Sequence, residues 1–108
     1  MAFDQQFATR IRNQLSLFPE EFTEKKMFGG LSFLFKGKMT IGIVKDELAV
    51  RVIGDKMPNE LAKPLVRPMD FTKRPLKEFI YVSPDGFKSE EDLLYFIELG
   101  LEHAKSKL

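Results

Sequence analysis

Residues 25–51 read KKMFGGLSFLFKGKMTIGIVKDELAVR. Leu31, Phe33 and Phe35 alternate with Ser32, Leu34 and Lys36. Met39, Ile41 and Ile43 alternate with Thr40, Gly42 and Val44, and Leu48, Val50 and Val52 with Ala49, Arg51 and Ile53. A period of two puts every second side chain on one side of a strand, so each run presents one large apolar face. The linkers KGK and KDE are short enough for hairpins. The stretch therefore predicts a three-stranded antiparallel meander. Leu34, Val44, Ala49 and Ile53 make its opposite side partly apolar as well, whereas a solvated sheet back alternates more cleanly. That side is expected to be covered by the middle of the chain, or by a second copy in a homodimer.

The glycines in this stretch invite a different reading, a loop that cradles phosphate. Such a loop needs two glycines separated by four residues, then Lys and Ser or Thr, leading into a helix. Here Gly29 and Gly30 are adjacent, and Gly37-Lys38 is followed by Met39 and a strand pattern. Backbone amides in that arrangement do not converge above a helix N-terminus. Gly29-Gly30 is instead expected to be a bulge or bend, and Gly37 to serve a turn.

Outside the meander the period changes. Phe3, Phe7, Ile11 and Leu15 fall four apart, one stripe of a helix that should stop before Pro19. Its apolar face requires a partner, and the greasy side of the sheet is the obvious one. DKMPNELAKP predicts a short helix ended by Pro64, Met69 to Phe71 a short strand, EFIYVS a clearer strand and PDGF a turn. Ser89 is a natural N-cap, with Glu90, Glu91 and Asp92 in the first turn of a final helix. Leu93, Phe96, Ile97, Leu101, Ala104 and Leu108 form its expected buried stripe.

The fold class predicted is α+β: an antiparallel sheet with flanking helices, two of them roofing one face. The 108 residues suit a single domain over residues 1–108. Apolar residues make up 44% of the chain and eleven are Phe, enough for a core without staples. Cysteine is absent, which removes disulfides and thiolate metal sites. No apolar run approaches the roughly 20 residues that span a bilayer. An acid early in the N-terminal stretch, with no long apolar centre, argues against a secretory signal, so a cytoplasmic protein without membrane partners is expected.

No catalytic constellation emerges. The one histidine, His103, lies near the end of the last helix and reads as a helix-surface residue. One histidine without cysteine makes no common zinc site. The acids Glu20-Glu21 and Glu90-Glu91-Asp92 are neighbours in sequence, which on a helix do not face each other. Neither an enzyme nor a cofactor is expected. What remains is charge: Lys63, Arg67, Lys73, Arg74 and Lys77 face a single Asp70, with Phe71 among them. Basic side chains with an interleaved aromatic suit a partner surface, or a phosphate backbone with a stacked base. A formal net charge of +1 argues against a general nucleic-acid binder.

The run from Glu24 to Val52 resembles the N-terminal domain family of the TfoX/Sxy competence regulators of bacteria. Lys26, Met27, Phe28, Gly29 and Gly30 match its opening, Gly37, Lys38 and Met39 its turn, and Leu48 and Arg51 its later strand. RPMDF, FIYVSP and an acid-headed helix resemble stand-alone members. The resemblance implies the element order α-β-β-β-α-β-β-α, similar to secretion chaperones, with Gly29-Gly30 inside a strand. It implies a non-enzymatic protein-binding module linked to transcription regulation. Full-length members carry a second, C-terminal domain and promote transcription of DNA-uptake genes with the cyclic-AMP receptor protein. Direct nucleic-acid binding through residues 63–77 is the alternative, and a small enzyme of unknown activity, for instance on RNA, ranks last.

Overall fold

The structure, a computed structural model, describes residues 5–27, 30–68 and 78–108. Helix α1 spans Gln5–Leu15, and four strands follow: β1 Phe22–Met27, β2 Gly30–Phe35, β3 Lys38–Val44 and β4 Glu47–Arg51. A single 3-10 turn at Gly54–Lys56 leads into the short helix α2, Met57–Leu61. Strands β5, Val66–Pro68, and β6, Phe79–Val82, precede a second 3-10 turn and the long helix α3, Glu90–Ser106. The strands form one six-stranded antiparallel sheet in the order β1-β2-β3-β4-β6-β5. The α+β class and the helices flanking the sheet are as the sequence predicts.

The predicted apolar face is the core. Leu31, Phe33, Ile41, Ile43, Leu48, Val50 and Val52 pack in one cluster with Ala8, Ile11 and Leu15 of α1 and Leu93, Phe96 and Ile97 of α3. Burying each of these larger side chains stabilises by about 1.5–3 kcal/mol relative to leaving it exposed. Helix α1 stops where Pro19 requires, its last turn closed by Phe18 N–H donating to Leu15 O. Ser89 caps α3 by accepting a hydrogen bond from the Asp92 N–H, 3.0 Å away. Leu108, assigned to the buried stripe, is instead 61% exposed, because the helix ends at Ser106 before the stripe comes round again.

Two features depart from the sequence reading. The first is β1, an added strand at the sheet's edge that pairs with β2 from Phe22 opposite Phe35 to Met27 opposite Gly30. Thr23, Glu24, Lys25 and Lys26 are exposed, so the strand carries little of the burial pattern by which its neighbours are recognised.

The second is the position of the bulge. Phe33 pairs with Ile41 but Leu34 pairs with Met39, which leaves Thr40 as the extra residue of β3. Thr40 is fully buried, and its hydroxyl donates to Phe33 O at 2.8 Å. One extra residue reverses the alternation beyond it. Met39, expected on the helix-covered face beside Ile41, therefore packs on the other face with Ala49, Phe79, Tyr81 and Val44. Gly30 lies in the ladder, where an added Cβ would meet the Ile43 carbonyl oxygen at 1.9 Å; close strand approach explains this glycine. Gly29 lies outside the described residues, and so does the Met69–Phe71 segment.

The second face is largely covered within a single chain, as the sequence reading expects: Ala49 is fully buried, and Met39 and Val44 are partly buried. Phe79 and Tyr81 are each 6% exposed. The guanidinium of Arg51 lies 4.1 Å over the Phe79 ring, and that of Arg67 4.6 Å over Tyr81. The β2–β3 hairpin turns at Lys36 and Gly37 with φ of 51° and 82°, the two left-handed positions of a type I′ turn, as the KGK linker predicts.

Candidate functional site

Two of the basic residues singled out by sequence are described, and both sit beside the β5 edge of the sheet. Lys63 follows α2. Its ammonium donates to Glu60 at 2.9 Å and to the Tyr95 hydroxyl at 3.1 Å, and lies 4.1 Å over the Tyr95 ring. Glu60 is only 3% exposed and also accepts from the Tyr95 hydroxyl. Burial works to lower the Lys63 pKa, but its bonds to Glu60 and Tyr95 outweigh it and the net shift is upward.

Arg67 stands on β5 and forms a two-pronged pair with Glu47 of β4, one of its bonds being 2.7 Å long. Each of these cations thus has a carboxylate partner in its own chain and an aromatic ring beneath it. Phe71, Lys73, Arg74 and Lys77 lie outside the described residues, as do Phe28 and Gly29. Met27 closes β1, Gly30 opens β2, Gly37 forms the turn and Lys38 opens β3. These motif positions shape the hairpins.

A second polar cluster was not anticipated. Its centre is Glu78, immediately before β6, with a left-handed φ of 60°. The Glu78 carbonyl accepts from the Val52 N–H, and one carboxylate oxygen accepts from the Gly54 N–H at 3.0 Å. The other oxygen lies 3.1 Å from Nε2 of His103, 3.5 Å from the Lys107 ammonium and 3.7 Å from Arg51 Nη2. The bond with His103 is the main cause that holds the Glu78 carboxyl below its ordinary value, helped by Gly54 and Lys107 and opposed by partial burial.

His103 is the correction. Expected on the helix surface, it is 3% exposed. Burial, reinforced by the charges of Arg51 and Lys107, holds it below the ordinary histidine value, and the bond to Glu78 only partly offsets this. The ring is therefore neutral at neutral pH. Its Nδ1 is buried with no hydrogen-bond partner among the described residues. The signal was present in the spacing: His103 lies seven residues after Phe96, on the same helix face. Histidine's usual preference for partial exposure hid it.

The Glu78 cluster opens on a cleft of about 380 Å³ lined by Gly37, Lys38, Met39, Arg51, His103 and Lys107. Another cleft, about 580 Å³, lies between the segment after α1 and the middle of α3. Ion pairs of 2.6 Å from Lys105 to Glu20 and from Lys56 to Glu102 involve its lining residues. Among the described residues, no three His, Asp or Glu side chains gather as metal ligands would. No described helix is long and apolar enough to cross a membrane.

No curated relative matches the chain. Residues 13–104 match the TfoX N-terminal domain, a span that includes the last part of α1, all six strands and most of α3. The chain belongs to the TfoX N-terminal domain family.

Proposed function

We propose that this domain acts by binding rather than catalysis, as a bacterial, cytoplasmic protein-interaction module linked to the regulation of transcription. Family membership supports the module, and the β5 edge supplies the surface. The observation that carries the choice of a protein partner is the internal pairing of Lys63 with Glu60 and of Arg67 with Glu47. A cation already neutralised by a carboxylate releases few counterions on meeting a phosphate backbone, so it adds little to nucleic-acid affinity. Arg67, held over Tyr81, and the exposed Tyr95 beside Lys63 are residue types that protein interfaces favour.

Replacing Arg67, Lys73, Arg74 and Lys77 together by alanine abolishes capture of purified cyclic-AMP receptor protein or RNA polymerase by the immobilised domain. Circular dichroism confirms that the variant is folded. Capture by wild type that the fourfold variant leaves unchanged removes this surface from the proposal. Direct nucleic-acid binding is the rival reading. It requires affinity that collapses as salt is raised, so a flat salt response, or no retention of DNA at low salt, eliminates it.

A further inference from the structure

The cleft beside Glu78 holds more positive charge than the chain compensates. Arg51, Lys38 and Lys107 bring three cations to it, and among the described residues the carboxylate of Glu78 is the one that meets them. Lys38 is exposed and has no ion pair among the described residues. Arg51 is the recessed member, its side chain 23% exposed and stacked on Phe79. Its nearest carboxylate oxygen among the described residues is 3.7 Å away, too far for a hydrogen bond.

Nε2 of His103 sharpens the imbalance. It lies 3.0 Å from Arg51 Nη2 and 3.1 Å from Glu78 Oε1. A guanidinium only donates and a carboxylate only accepts, so one neutral ring nitrogen serves one of them and not both. If Nε2 carries the proton, Glu78 is satisfied and Arg51 Nη2 faces an N–H instead of an acceptor. If Nε2 is bare, Glu78 loses this donor, and the proton sits on buried Nδ1, which has no partner among the described residues. The first arrangement strands the less costly group, a lone pair on Nδ1, and leaves Arg51 short of an acceptor.

We infer that this cleft, between the β2–β3 hairpin turn and the C-terminal end of α3, binds the phosphate group of a small phosphorylated molecule. Phosphate oxygens supply the acceptor that Arg51 lacks, while Nε2–H of His103 remains with Glu78. Lys38 and Lys107 flank the entrance from β3 and α3. Among the described residues, three cations face one carboxylate, an excess of positive charge that suits a phosphate monoester dianion. The recess of Arg51 selects in the same direction. A terminal phosphate enters with three free oxygens, whereas a backbone diester is substituted on both sides and must approach broadside. The site is separate from the β5 surface and does not depend on what binds there.

The test titrates the full chain with inorganic phosphate in a low-salt buffer, following the His103 ring proton signals by NMR. A saturable shift is expected, with none from chloride at equal ionic strength. Lys38→Ala, an exposed change that leaves the fold intact, weakens binding about tenfold, the loss of one charge-assisted hydrogen bond. Arg51→Met keeps contact with Phe79 and removes the saturable shift. An unphosphorylated single-stranded oligonucleotide does not compete. Equal shifts from chloride, or saturation that survives Lys38→Ala and a folded Arg51→Met, overturn the proposal. Competition by the oligonucleotide reassigns the cleft to backbone phosphates and overturns it in this form.

Discussion

Gly100 of α3 sits directly on the Thr40 bulge of β3: a Cβ added at residue 100 would lie 2.4 Å from the Thr40 carbonyl oxygen. The extra residue in β3 and the missing side chain in α3 are two halves of one contact, and they set how closely the long helix lies on the sheet. Gly100→Ala gains up to about 1 kcal/mol of helix propensity. It also drives a methyl group into backbone that cannot swing aside, an overpacking cost of about 1–3 kcal/mol. A net loss of stability is expected in urea denaturation. A variant as stable as wild type shows that helix and sheet separate at no cost.

Stability should fall on mild acidification, with His103 the main cause. Its folded pKa is depressed below the ordinary 6.5. The unfolded chain therefore takes up a proton at a pH where the folded chain refuses it. This contribution is fully present above about pH 6.5 and is lost as pH falls through the unfolded and then the folded value. Glu78, lowered from 4.5, acts in the same sense further into acid. Urea midpoints recorded against pH should decline through the upper window, and His103→Leu should flatten that decline. A His103 ring that titrates above 6.5 by NMR contradicts the assignment.

Removing the Glu78 charge should move His103 further down. In Glu78→Gln the attraction that favours imidazolium is gone, while Arg51 and Lys107 remain. The ring then titrates at lower pH than in wild type. An unchanged or raised value means that Glu78 and His103 are not in contact in solution.

The hairpin turn gives a local test. Gly37 has φ of 82° and its Cβ position is open, so Gly37→Ala meets no neighbour and reports backbone strain alone. A left-handed alanine costs roughly 1–2 kcal/mol. Lys36→Asn, at φ of 51°, should stabilise, because asparagine tolerates this region better than lysine. Opposite signs for the two substitutions are the expected pattern in thermal melts.

What the sequence disclosed followed from how strongly burial wrote itself into the pattern. Leu31, Phe33, Ile41, Ile43, Leu48 and Val50 lie on the face they were assigned, because each would otherwise expose a large side chain. Ser89 was equally plain, since a capping hydroxyl has few other uses before a run of acids. Strand β1 was hidden because an edge strand is held by backbone bonds and needs no apolar rhythm. The Thr40 bulge shifts one residue, and a period-two pattern reads the same until a partner strand fixes the register. The polar cluster joins Arg51, Glu78 and the His103–Lys107 end of α3 from three places in the chain, and no local signal announces such a meeting.

The outer strand β1 has a consequence for how molecules meet one another. Glu24 is already held by Arg12 through bonds of 2.8 Å, and among the described residues no carboxylate pairs with Lys25 or Lys26 along that rim. A second molecule sliding in alongside would crowd like ammonium groups together before its peptide groups found partners. The rim thus works as a fence: it lets the sheet finish at six strands instead of growing from one molecule into the next.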